Sequence, residues 1–323
     1  MAQDVAIATT ETETGTRVAI ADRLADYARQ ADGAFSPNTA RAVKSDTAVF
    51  TAWCAERGHV PLPASPETVA TFIDSMAETK KPATVRRYCA SIAHLHRAAG
   101  LNDPTKATPV KLALKRMGRA HNTRQDQAAP ITERVVERLL AVTKDDTSLI
   151  TCRDLALVMV ARDMLARRSE VVALTISDIT WNDDGSATVL VRRSKTDAEG
   201  QGAVLWMSHR TTTALKAWLN AARVIDGPVF RSVDRGGNIG GQLDAGDVAR
   251  RFKIMASRAG LDAAAISGHS ARVGMAQDLV AYGAELPEVM QAGRWKSPTM
   301  PARYAERLSA GRGAVAQFYR RQG

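Results

Sequence analysis

Cysteine is scarce in this chain: Cys54, Cys89 and Cys152 are odd in number, widely spaced, and form no C-x-x-C pair. That spacing argues against a disulfide framework or a cysteine-built zinc site and reads as reduced thiols in a cytosolic protein. Aromatic residues are few as well, 5% of 323 residues against 45% hydrophobic residues overall, a balance expected of a soluble, helix-rich protein large enough for one or two domains. No apolar run approaches the roughly 20 residues a membrane span needs. Met1-Ala2-Gln3-Asp4 has neither the basic nor the apolar region of a secretion signal. Residues 1–16, rich in Thr, Glu and Ala, are expected to be a disordered leader.

What the chain does have is positive charge, a formal +10. It is unevenly placed: residues 1–100 carry 11 Lys/Arg against 11 Asp/Glu, whereas residues 101–130 carry 6 against 2. Lys106, Lys111, Lys115, Arg116, Arg119 and Arg124 form that cluster. No strongly amphipathic apolar face accompanies it, so a nucleic acid is a better partner than a membrane surface.

The periodicity predicts a mainly α protein in two parts. From 17 to 120 the pattern is helical throughout, with starts at Ser36-Pro37 and Ser65-Pro66 and a basic last helix over 106–120. In the helix over 82–99, Val85, Cys89, Ile92 and Leu95 should face inward and Arg86, Arg87 and Ser91 outward. Residues 121–130 are polar and aperiodic and read as a linker. Residues 131–323 should be mixed α/β: helices over 132–141 and 148–165, strands over 176–181 and 187–193 joined by Asn182-Asp183-Asp184-Gly185, and a third strand over 203–207. The remainder is expected to be helical, with a loop at 232–241. No internal repeat is present.

Within the second part stand Arg167-Arg168-Ser169-Glu170, then Ser194-Lys195-Thr196, then Ser267-Gly268-His269-Ser270-Ala271-Arg272-Val273-Gly274, then Met290-Gln291-Ala292-Gly293-Arg294-Trp295, then Tyr304. His269 and Arg272, three apart, share one face at the start of a helix, where the helix dipole favours an anion. Arginines and an indole N–H can surround a pentacoordinate phosphorus in place of metal ions. A tyrosine can then attack and conserve the bond energy as a phosphotyrosine. A phenol titrating near 10 is a weak nucleophile at neutral pH, so a cationic pocket should favour its phenolate. A lysine on a hairpin loop is ordinarily surface decoration, and a tryptophan is ordinarily core.

These residues and their order resemble the tyrosine recombinases. The likeness is closest over 266–320, clear over 155–200 and looser over 20–120. It implies a helical, DNA-gripping first domain (17–120) and a catalytic domain with a small antiparallel sheet and a C-terminal tail. It implies that Arg167 and Arg272 hold the scissile phosphate and that Glu170 buttresses them. Lys195 would protonate the departing 5′-oxygen, Trp295 would donate to the phosphate, and Tyr304 would be the nucleophile. His269 would donate to a non-bridging oxygen or assist deprotonation, and the two roles stay open. No cofactor or metal is implied.

The same resemblance implies double-stranded DNA with inverted-repeat sites as partner and a homotetramer joined through the apolar tail Ala314-Val315-Ala316-Gln317-Phe318-Tyr319. It also implies a cytoplasmic protein of bacterial, phage or plasmid origin. No additional domain before residue 17 is expected, which favours a simple recombination system over one needing accessory sites. Candidate DNA-reading residues are Arg41, Lys44, Arg86 and Arg87, the cluster Lys111, Lys115, Arg116 and Arg119, and Arg250 and Lys253, which share a helix face with Ser257. A type IB topoisomerase-like relaxing enzyme and an inactive DNA-binding protein are the alternatives.

Overall fold

A computed structural model describes residues 19–121, 124, 126–194, 197, 200–311 and 313–322. The expected leader and part of the expected linker lie outside those residues. The chain divides into two compact units, Met1–Gln125 and Asp126–Gly323.

The first unit is all helical: α1 (19–30), α2 (Pro37–Glu56), α3 (Pro66–Ala77), α4 (Pro82–Ala98) and α5 (Thr108–Ala120). Proline fits the first turn of a helix because its missing N–H has no intrahelical partner there, and each of α2 to α5 carries one at that point. Ser36 and Ser65 accept N–H bonds from Thr39 and Thr68 at 3.2 and 3.1 Å, caps worth about 1 kcal/mol each. The scarce aromatics concentrate in this core, where Phe72 meets Phe50 at 5.0 Å and Trp53 at 5.3 Å, edge to face.

One helix face departs from expectation. Ser91 points inward and donates to Asp46 Oδ2 at 3.0 Å, while Arg87 grips both oxygens of the same buried carboxylate at 2.9 and 2.8 Å. A charge as buried as Asp46 has to be paired, and α4 supplies the pair from the face expected to be solvated.

The second unit comprises α6 (Glu133–Thr143), α7 (Leu149–Asp163), α8 (Arg168–Val172), β1 (Ile179–Trp181), β2 (Ala187–Val191), β3 (Ala203–Met207), α9 (His209–Ala221), β4 (Arg231–Val233), β5 (Ile239–Gln242), α10 (Ala245–Arg258), α11 (Ser270–Tyr282), α12 (Leu286–Gly293), α13 (Thr299–Ala310) and α14 (Ala314–Arg320). Strands β1, β2 and β3 form an antiparallel sheet in that order. Helix α7 is buried along an unbroken run from Ala156 to Arg162, and α9, α10 and α11 pack around it. No helix among the described residues is long and apolar enough to cross a membrane.

Three boundaries differ from the sequence expectation. Residues 176–178 form a 3₁₀ turn rather than strand, because Asp178 accepts the Thr175 N–H at 2.9 Å and closes the turn. The expected loop at 232–241 contains the hairpin β4–β5; its second strand is Ile-Gly-Gly-Gln, a composition with little strand signal of its own. The end of the expected linker belongs to the second unit, since the Ala129 N–H donates to Ala265 O at 2.8 Å. Ile131 crosses α11 so closely that a Cβ on Gly274 would lie 1.9 Å from its carbonyl oxygen. Only glycine fits there.

Candidate active site

Helix α7 ends in Leu165, whose φ of +42° turns the chain sharply before Arg167. Arg167 then caps α8, and Glu170 closes the cap by accepting the Arg167 N–H at 3.0 Å and Nη1 at 2.7 Å. Glu170 is buried. Burial pushes its carboxyl up, but the Arg167 N–H and the guanidinium groups of Arg294 and Arg167 hold it below the usual carboxylate range. The second arginine, Arg294, reaches Oε2 of the same carboxylate at 2.7 Å.

Arg272, on the first turn of α11, is 2% exposed. Its guanidinium donates to the main-chain carbonyls of Leu165 and Gly293, so two distant chain segments fix one cation. Burial pushes its pKa down to about 10, helped by repulsion from Arg167 and Arg294. It remains protonated at neutral pH. The ring of Trp295 covers it, with the guanidinium carbon 4.1 Å from the centroid. A Cβ on Gly293 would stand 1.8 Å from that ring, so the glycine makes the stacking possible.

Tyr304 lies within α13 and meets Trp295 edge-on at 5.8 Å. Gln277 Nε2 donates to its main-chain oxygen at 3.0 Å and Gln127 Nε2 at 3.4 Å. The phenol does not titrate as a simple cationic pocket would suggest. Burial raises its pKa, and Arg272, Arg303 and Arg167 only partly offset that rise. Without DNA the nucleophile is therefore held protonated.

Arg167, Glu170, Arg272, Trp295 and Tyr304 thus converge. His269 stands at the α11 N-terminus, exposed, its N–H donating to Ser267 Oγ at 3.1 Å. Lys195 lies outside the described residues. The flanking Ser194, Asp197 and Gln201 line a cavity of about 430 Å³ whose other wall is Met290, Gln291, Arg294, Trp295 and Lys296. Asp197 draws the loop together by accepting the N–H groups of Gly202 and Gln201 at 2.9 and 3.1 Å. Among the described residues no cluster of His, Cys, Asp or Glu could hold a metal ion.

The candidate DNA-reading residues divide into two groups. Lys44, Arg86, Lys111, Lys115, Arg119 and Lys253 are exposed. Arg41 bonds Asn38, Arg116 pairs with Asp74, and Arg250 pairs with Asp247. Arg87 is committed to Asp46. Sequence reasoning missed Arg294 and the two glutamines. The one available signal was Arg294's place between Gly293 and Trp295.

The phage integrase family model matches residues 130–310. An integrase/recombinase xerD homolog from Selenomonas ruminantium is 32% identical over 288 residues, covering 86% of this chain and 84% of that one. Recombinase cre of Escherichia phage P1 is 26% identical over 303 residues, 88% of each chain. Among solved structures, the Tn1549 transposon integrase in complex with transposon right end DNA superposes with a TM-score of 0.60 at 14% identity, over 90% of this chain and 98% of that one. The XerH site-specific recombinase in a post-cleavage complex with difH gives 0.59 at 17%, over 78% and 72%. The family match spans every element from α6 to α13, and the chain belongs to the phage integrase family of tyrosine recombinases.

Proposed function

We propose that this protein is a site-specific DNA recombinase that breaks and rejoins duplex DNA through Tyr304. The supporting observation is the convergence of Arg167, Arg272, Trp295 and Tyr304 from separate chain segments onto one buried, positively charged spot. Tyr304 Oη attacks the phosphorus, and the bond to the 5′-oxygen breaks, leaving a 3′-phosphotyrosine. The phenolic proton passes to His269, and Lys195 protonates the departing 5′-oxygen. Arg167 and Arg272 stabilise the charge that grows on the non-bridging oxygens, as does the Trp295 N–H. A 5′-hydroxyl from a partner strand reverses the step, first giving a Holliday junction. The energy of the phosphodiester is retained, so no ATP is consumed.

The raised Tyr304 pKa fits this scheme. A phenol that stays protonated until a phosphate arrives cannot react idly.

The first unit grips DNA through the exposed cations on α2, α4 and α5. Helix α14 joins neighbouring subunits into a tetramer on inverted-repeat sites. Val315 and Phe318, 72% and 56% exposed on the single chain, support that role. The test is recombination between two duplexes that each carry a site selected by the protein from random DNA. Reciprocal exchange products are expected; relaxation of one supercoiled duplex with no exchange between two would overturn the reading.

A further inference from the structure

Arg294 follows the last residue of α12 with φ +56° and ψ +44°. A left-handed residue at a helix end is usually glycine, because a Cβ there crowds the neighbouring carbonyl. The side chain turns inward, only 14% exposed. Its Nε and Nη1 groups are buried and have no hydrogen-bond partner among the described residues. Backbone strain and two unsatisfied buried donors both weigh against arginine at this position. Glycine would avoid both. What arginine gains is the ion pair with Glu170.

The use of that pair follows from charge. Glu170 is fastened to Arg167 through Oε1. A buried carboxylate facing one guanidinium would cancel most of the field that guanidinium presents to a phosphate. With Arg294 on the other oxygen, the carboxylate is balanced without drawing on Arg167. Charge kept on Arg167 matters most in the transition state, where the phosphoryl oxygens carry more negative charge than in the diester.

We propose that Arg294 is a positioning residue that neutralises Glu170, so that Arg167 keeps both its orientation and its full charge for the scissile phosphate. The proposal rests on the reading of Arg167 as a phosphate clamp.

Arg294→Gly tests it cleanly, because glycine relaxes the left-handed backbone and the melting temperature should hold or rise. Formation of the covalent adduct is followed in single turnover, at saturating protein, on a duplex selected by the wild-type protein. In Arg294→Gly the rate constant is expected to fall roughly tenfold or more, with DNA affinity within about threefold. Glu170→Gln slows the reaction on its own account, yet adding Arg294→Gly to it should change the rate by less than about threefold, since no carboxylate remains to balance. A wild-type rate in Arg294→Gly, or equal losses in both backgrounds, overturns the proposal. If the wild-type protein itself forms no adduct on any selected duplex, the phosphate-clamp reading falls first and the role of Arg294 falls with it.

Discussion

The guanidinium of Arg272 stacks on the ring of Trp295 at 4.1 Å. A desolvated cation on an indole face is held by about 2 kcal/mol, so the ring helps to keep a buried cation whose pKa has fallen to about 10 in its charged state. The indole therefore has two separable jobs: covering Arg272 and donating an N–H to the phosphate. Trp295→Phe keeps an aromatic face and removes the donor. It should fold and bind DNA like the wild type while forming the covalent adduct about tenfold more slowly. Adduct formation at the wild-type rate would show that the N–H takes no part.

Lys195 is assigned to the leaving group. Lys195→Ala should cleave a normal phosphodiester far more slowly. Replacing the bridging 5′-oxygen with sulfur should restore most of the rate, because a thiolate departs without a proton. A mutant that gains no more than the wild type from the sulfur substrate would remove Lys195 from that role.

Acid should weaken the first unit through His96. The ring is buried, with Nε2 accepting the Ala64 N–H at 3.0 Å and Nδ1 lying 2.8 Å from Ile92 O, so Nδ1 carries the proton and the ring is neutral. Burial lowers its pKa, outweighing the Ile92 carbonyl and Asp103. An unfolded histidine titrates near about 6.5. Below that pH the unfolded chain takes up a proton that the folded one resists. This contribution is complete above about pH 7 and is lost as pH falls through and below about 6.5. Urea midpoints followed by the fluorescence of Trp53, which is packed in that unit, should drop more between neutral and mildly acid pH in the wild type than in His96→Gln. His94 is shifted the same way and is present in both proteins, so it cancels. Equal drops would contradict the assignment.

Deleting residues 313–323 addresses assembly. Val315 and Phe318 are exposed on one helix, and burying such a face in a neighbour contributes a few kcal/mol at about 25 cal/mol per Å². The truncated protein should fold and bind a single site yet form tetramers poorly and recombine little. Sedimentation showing wild-type tetramers on cognate duplex would mean that the tail packs at home.

What the sequence made legible was local. Ser36-Pro37 and Ser65-Pro66 mark helix starts because a cap needs only neighbours, and the spacing of His269 and Arg272 puts both at one helix start. Distant pairings were invisible. Nothing near Ser91 or Arg87 announces Asp46, 45 and 41 residues away. Arg294 meets Glu170 across 124 residues and was one basic residue among 44. The direction of the Tyr304 shift was also out of reach, because it depends on whether burial or the arginines prevail, and only the packed structure sets that balance.

Peptide mapping of the protein–DNA adduct tests the central claim most directly. On a nicked duplex that traps the intermediate, the 3′-phosphate should be found on the peptide carrying Tyr304, and Tyr304→Phe should bind the same duplex without forming any adduct. A phosphotyrosine at the exposed Tyr282 or Tyr319, or undiminished adduct in Tyr304→Phe, would contradict the mechanism outright.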